Sequence, residues 1–203
     1  MDRQVGILGA GTIGAGVGRF FAAAGWRVAI SSAHGPGALA GVAAGLGPDA
    51  APVTVGEAIR SGVVLLATPW TAVETVLRDA PCWDGRVLID ATNAIKTYTP
   101  PRIELYDFGT QTSSEVVAGL APGARVVKAF NHLPFFQLTA PVHDGERRAS
   151  FLCCDDDGAK ADVAAVLEHS GFAPIDLGGL RAGGLLQQVG GPLASVDLRL
   201  AGS

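Results

Sequence analysis

Apolar runs of strand length alternate along the chain with stretches whose apolar positions recur at helical spacing. Val5 to Leu8, Arg27 to Ile30, Val53 to Val55, Val63 to Ala67, Arg86 to Asp90, Ala124 to Phe130, Ala149 to Cys154 and Ala173 to Leu177 predict strands. Helices are expected over Gly14 to Ala24, Pro36 to Leu46, Thr71 to Asp79, Ser113 to Leu120 and Ala159 to His169, with a further helical turn from Gly56 to Arg60. Several strands are apolar at nearly every position, as strands buried on both faces are. Their alternation with helices gives a doubly wound, mainly parallel α/β sheet. Ala91 to Thr112, with Pro100-Pro101 and little periodicity, reads as a loop near the ligand edge. The chain divides on this reading into one domain, residues 1–177, and a Gly- and Leu-rich extension, residues 178–203, serving as lid or dimer contact.

In open α/β sheets ligands lie outside the carboxyl ends of the strands, so the loops there carry the chemistry. The first is Gly9-Ala10-Gly11-Thr12-Ile13-Gly14, directly after an apolar strand. Gly9 supplies a tight turn, Gly11 lets the backbone approach a pyrophosphate, and Gly14 lets helix pack on strand. The free N–H groups at the helix start face the anion.

The second strand ends in Ser31-Ser32-Ala33-His34-Gly35-Pro36, where an NAD-binding chain places a carboxylate for the ribose 2′-hydroxyl. No carboxylate stands there. Two hydroxyls, loop N–H groups and a histidine suit a 2′-phosphate instead, which favours NADP(H). The competing role for Ser31 and Ser32 is to cap the next helix, with His34 merely solvated.

The 203 residues, 48% hydrophobic and 17% charged, suit one domain with a substantial core. A net charge of −4 without a basic stripe argues against nucleic acid. The glycines of the first turn argue against a signal peptide, and no apolar stretch has membrane-spanning length. Cys82 and the adjacent Cys153 and Cys154 give an odd count, for which a reducing cytoplasm is the simplest setting.

Thr68-Pro69-Trp70 follows the fourth strand and borders the cofactor unless it is a plain turn. Asn93 is a donor for a carboxamide or substrate carbonyl, or else a turn residue. Lys128, among buried neighbours, needs a partner, and Asp90 supplies one if the fifth and sixth strands are adjacent. His132 is the best-placed general acid by location alone, although the position favours a satisfied histidine. Asp155-Asp156-Asp157 precedes a helix and reads as capping rather than metal binding. There is no Tyr-x-x-x-Lys pair, Tyr98 being followed at that spacing by Arg102 and Tyr106 by Thr110, and no cysteine and histidine set for catalytic zinc. About two hundred residues leave no space for a helical substrate domain. The acceptor is therefore expected to be a flat small molecule stacked on nicotinamide, on the nucleotide domain or between subunits.

Ile7 to Gly14, Gly25-Trp26-Arg27-Val28, Ser31 to Pro36, Ala67 to Trp70, Ile89 to Asn93, Arg125 to Asn131, Asp155 to Lys160 and Gly190-Gly191-Pro192-Leu193, in that order, resemble the NADP oxidoreductase, coenzyme F420-dependent family. The resemblance implies hydride transfer between NADP(H) and an 8-hydroxy-5-deazaflavin, coenzyme F420; the strand and helix pattern is that of a Rossmann-type fold, and a homodimer is expected. It implies that Thr12 and Ile13 touch the pyrophosphate and that Ser31, Ser32 and His34 hold the 2′-phosphate. Pro69, Trp70, Asn93 and Ala129 would line the nicotinamide side. Many members have arginine where this chain has His34. Reduction of a flavin, quinone or imine, and non-catalytic NADP(H) binding, are the alternatives.

Overall fold

The computed structural model describes residues 3–78, 80–143 and 145–201. Asp79, expected to end a helix, and the last two residues of the extension lie outside the described residues. In chain order the elements are β1 Gln4–Leu8, α1 Thr12–Ala23, β2 Arg27–Ser31, a 3-10 turn Pro36–Leu39, α2 Ala40–Ala44, β3 Ala50–Pro52, α3 Val55–Ala58, β4 Val63–Leu66, α4 Trp70–Arg78 and β5 Val87–Asp90. There follow β6 Ile95–Thr99, β7 Arg102–Leu105, α5 Ser113–Leu120, β8 Arg125–Ala129, α6 Phe135–Leu138, β9 Glu146–Cys154, α7 Asp157–His169, β10 Phe172–Asp176, α8 Leu180–Gln187 and β11 Arg199–Ala201.

The main sheet has the order β10-β9-β8-β5-β4-β1-β2-β3, with β11 added to β9. The six strands from β3 to β8 are parallel and reverse their order between β1 and β4, the topological switch point of a Rossmann-type sheet. Adjacent residues of one strand serve opposite faces. Ile7 packs with Phe21, Ile30 and Leu65 on one side, while Leu8 packs with Val64, Leu66 and Trp83 on the other. Continuous apolar strands follow directly from a sheet covered twice.

β9 breaks the parallel pattern. It runs antiparallel to β8, pairing Ala129 with Leu152 and Val127 with Cys154, so its first half rises beyond the end of β8. There β11 takes the place beside it, pairing Arg199 with Arg148. The buried Arg148 guanidinium fixes this junction: Nε lies 2.7 Å from Asp197 Oδ1, and Nη1 donates to Ala140 O at 2.6 Å.

Two local expectations are corrected. The short strand is Ala50–Pro52 rather than Val53 to Val55, because the Thr54 hydroxyl accepts from Glu57 N while the Glu57 carboxylate accepts from Thr54 N, a reciprocal cap that starts α3. The expected loop Ala91 to Thr112 contains the hairpin β6–β7, a separate two-stranded sheet turning at Pro100-Pro101. The extension is ordered around α8, whose Leu180 N is capped by Asp155 Oδ1 at 2.9 Å. Asp156 likewise caps α7, accepting from Ala159 N at 2.7 Å.

Candidate functional site

The turn after β1 is built as its glycines require. Gly9 has φ +110°, and a Cβ there would lie 2.4 Å from Ala67 O. A Cβ at Gly14 would lie 1.8 Å from Gly9 O, so the helix can start this close to the strand only without a side chain. At Gly11, by contrast, a Cβ would meet nothing within 4 Å. The absent side chain there leaves room outside the protein, at the N-terminus of α1, where no side chain caps the helix among the described residues. Thr12 and Ile13 follow at once. Free N–H groups, a helix dipole and open space together fit a pyrophosphate.

The end of β2 divides its expected ligands. Ser31 is fully buried, and its hydroxyl donates to Ile7 O at 2.7 Å while its carbonyl accepts from Gly9 N at 3.0 Å. Its side chain therefore braces the glycine turn and is not free to bind a phosphate, a correction to the sequence reading. Ser32 is half-buried and accepts from His34 N at 3.3 Å, and His34 is exposed. These two remain at the rim. Neither serine caps the following 3-10 turn, whose N-cap is Gly35.

After β4, Ala67 lies against Gly9, and Thr68 Oγ1 is buried without a partner. Pro69 is exposed. Trp70 packs against Phe108 and Tyr106, ring centroids 5.3 and 6.3 Å away, outside the lining of the cleft beyond β5 and β8, thereby tying α4 to the return of the hairpin. This corrects its expected place beside nicotinamide. Ala129 is corrected in the same way, being fully buried in the apolar core.

A cleft of about 530 Å³ lies beyond the ends of β5 and β8. Ile13 of the glycine turn, Asn93, Asn131, His132, Phe135 of α6 and Ser195 of the extension line it, with Tyr98 and Ile103 reaching in from the hairpin. None of its described lining residues is Asp, Glu, Lys or Arg. Phe130, fully buried, has φ +61°, a left-handed backbone that is costly for a bulky residue and is found where a site demands it. The turn it makes carries the chain from the strand to Asn131 and His132 at the cleft.

Asn93 and Asn131 interlock. Asn93 Nδ2 donates to Asn131 O at 3.0 Å, and Asn131 Nδ2 donates to Gln187 O at 2.9 Å and Asn93 Oδ1 at 3.3 Å. Because two of those acceptors are carbonyls, the orientation of both amides is determined. Beneath them Lys128 and Asp90 pair at 3.0 Å with both side chains fully buried, as adjacent strands require. His132 packs against Phe151 at 4.6 Å, and both its ring nitrogens are buried without partners. Burial pushes its pKa down to about 4, so the imidazole is neutral near pH 7 and is no proton donor of the imidazolium type. The site is an uncapped glycine turn opening onto a cleft without charged lining, an arrangement suited to holding and orienting rings more than to moving protons.

Sequence reading put Ala91 to Thr112 near the ligand edge but missed its hairpin, and it missed Phe135 and Ser195 as parts of the site. The hairpin left one signal, a Pro-Pro pair between segments that each place an apolar residue at the strand ends, Ile95 and Leu105.

The family described as NADP oxidoreductase, coenzyme F420-dependent, matches residues 4–94, which span the glycine turn, the second strand and Asn93. The chain is 30% identical over 179 residues to the metalloreductase STEAP3 of Rattus norvegicus, covering 87% of this chain and 34% of that one. It thus spans about a third of that curated relative. Among solved structures, a hypothetical protein from Sinorhizobium meliloti is 37% identical with a TM-score of 0.88, covering 98% of this chain and 95% of the other. A protein from Arthrobacter sp. FB24, whose description proposes an F420-dependent NADP reductase, shares the fold at 24% identity and a TM-score of 0.75, covering 88% of this chain and 85% of the other. Motifs, fold and family match agree: residues 4–94 are similar to the NADP oxidoreductase, coenzyme F420-dependent family, and the chain shares the fold of the Arthrobacter protein.

Proposed function

We propose that this chain moves a hydride between NADP(H) and a flat two-electron acceptor of the deazaflavin type, coenzyme F420, stacked in the cleft beyond β5 and β8. One observation carries the reading: the uncapped, open glycine turn adjoins, through Ile13, a cleft of about 530 Å³ without charged lining. The volume suits a ring system, and the missing charges suit the uncharged part of a cofactor. When bound, NADPH supplies the hydride at nicotinamide C4, and the deazaflavin receives it at C5.

The residues hold and orient. The backbone at Gly11, Thr12 and Ile13 takes the pyrophosphate, with Gly9 and Gly14 keeping strand and helix close enough to present it. Ser32 and His34 take the 2′-phosphate, while Ser31 supports the turn from below. Thr68 and Pro69 border the cofactor between the two halves of the sheet, and Asn93 and Asn131 form the floor on the nicotinamide side. Neutral His132 and the apolar walls exclude water and leave the rings in contact, so rate comes from positioning. The exposed Leu185, Leu186, Leu198 and Leu200 on the extension support a homodimer, and the three free cysteines support a reducing cytoplasm.

The test mixes the protein with NADPH or NADH and oxidised deazaflavin, following loss of the acceptor's absorbance. Turnover with NADPH in preference to NADH is expected. No turnover with either nucleotide overturns the deazaflavin reading. The second reading, another acceptor such as a flavin, quinone or imine, is favoured by the likeness to a protein named metalloreductase, and gains if those acceptors alone are reduced.

A further inference from the structure

The fully buried Lys128–Asp90 pair lies one layer beneath the cleft, outside its lining. Its hydrogen bonds are directed at one segment. Asp90 Oδ1 accepts from Thr92 N at 2.9 Å and from Thr92 Oγ1 at 2.6 Å, and Oδ2 accepts from Ser114 Oγ at 2.6 Å as well as from Lys128 Nζ at 3.0 Å. Lys128 Nζ also donates to Thr92 O at 2.6 Å. The Thr92 peptide groups are thus held from both sides, its N–H by the carboxylate and its carbonyl by the ammonium. The next residue is Asn93, already locked to Asn131. Asn131 Nδ2 continues to Gln187 O at 2.9 Å, and Gln187 Nε2 returns to Lys128 O at 3.4 Å. The chain of contacts closes on the strand where it began.

A buried ion pair is a poor source of stability, since well-packed neutral residues of similar volume often do as well. What an apolar pair in this place would lack is a direction: it could not bond Thr92 O and Thr92 N together. The Rossmann-type sheet puts the nicotinamide half of a dinucleotide over β4, β5 and β8, which is where Asn93 and Asn131 emerge. We infer that Lys128 is a positioning residue for hydride transfer, its Asp90-held ammonium fixing the Thr92 carbonyl and through it the Asn93–Asn131 floor on which the nicotinamide ring is oriented. The inference rests on the proposed function for the identity of the ring.

The test is the double variant Asp90→Asn/Lys128→Met, which removes both charges at nearly constant volume, with Lys128→Met alone beside it. Val126→Ala, a core truncation two residues earlier on β8, serves as the control for simple loss of stability. Thermal melts, NADPH affinity, the enhancement of nicotinamide emission on binding, and kcat are measured on each. The double variant is expected to fold and to bind NADPH within about threefold of wild type, since the pyrophosphate turn is untouched, yet to lose the emission enhancement. Its kcat should fall by about ten- to a hundredfold, the size expected when reacting groups are misplaced by about 1 Å. Val126→Ala should lower the melting temperature and keep both emission and kcat within about twofold. Emission and kcat near wild type in a folded charge-free variant overturn the inference. So does failure of both Lys128 variants to fold while Val126→Ala folds, since the pair would then be structural. A wild type that binds NADPH but reduces no acceptor overturns the acceptor reading instead, and the emission signal still decides the role of Lys128.

Discussion

Replacing Gly11 by alanine separates binding from folding more cleanly than any other change in the glycine turn. A methyl group there meets no protein atom within 4 Å, and the residue sits at φ −74° in an extended conformation open to alanine. Two small terms act on stability. Reduced freedom of the unfolded chain favours alanine by about 0.4–1 kcal/mol. The position is the N-cap of α1, where alanine is worse than glycine by up to about 1 kcal/mol, so the terms oppose. The melting temperature should therefore stay within about 3 °C of wild type. A phosphate oxygen must approach backbone N–H groups to about 3 Å, and the new methyl occupies that approach. NADPH affinity should fall at least tenfold, about 1.4 kcal/mol, by calorimetric or fluorescence titration. Gly14→Ala is the contrast. Its Cβ would lie 1.8 Å from Gly9 O, so it should cost about 2 kcal/mol or more in stability besides disturbing binding. A Gly11→Ala protein with wild-type NADPH affinity would show that the pyrophosphate does not lie on this turn.

Other changes probe what the tertiary structure assigned. Ser31→Ala removes a buried hydroxyl bond to Ile7 O and should cost about 1 kcal/mol in denaturant melts, with NADPH affinity within about twofold; Ser32→Ala should show the reverse pattern. Equal loss of affinity in both would return Ser31 to the phosphate site. His132 has its pKa lowered from 6.5 to about 4 by burial, so below about pH 6.5 the unfolded chain binds a proton that the folded one refuses until about pH 4. Its contribution is whole above that window and is lost on acidification through it, on the order of 3 kcal/mol. Urea melts of His132→Gln should accordingly lose less stability than wild type between pH 7 and 4.5, and parallel curves would contradict the burial argument. Asp197→Ala leaves the buried Arg148 guanidinium without its carboxylate and should cost about 3 kcal/mol, with earlier hydrogen exchange in β11; an unchanged melt would show the pair is not what holds the extension.

The glycine turn was legible because every requirement on it is local: a left-handed backbone at Gly9 and a close approach at Gly14 admit no other residue type. The parallel strands were legible because burial on both faces demands continuous apolar runs. Lys128 was legible as a problem, a charge among buried neighbours, and adjacency of β5 and β8 solved it with Asp90 as expected. Ser31 misled because residue type and position do not report which way a hydroxyl turns at a strand end. Trp70 misled for a similar reason. Its partners Tyr106 and Phe108 lie more than thirty residues along, in a segment where two prolines hid the hairpin.

Sequence by itself therefore determined the family resemblance, the mainly parallel α/β sheet and the form of the glycine turn, since these rest on backbone sterics and on burial patterns read within a few residues. Only the tertiary structure decided what surrounds the acceptor. The hairpin, the antiparallel β9, the left-handed Phe130 and the locked pair Asn93–Asn131 depend on contacts between segments far apart in the chain, and the free energy of such contacts is written in no single stretch of it.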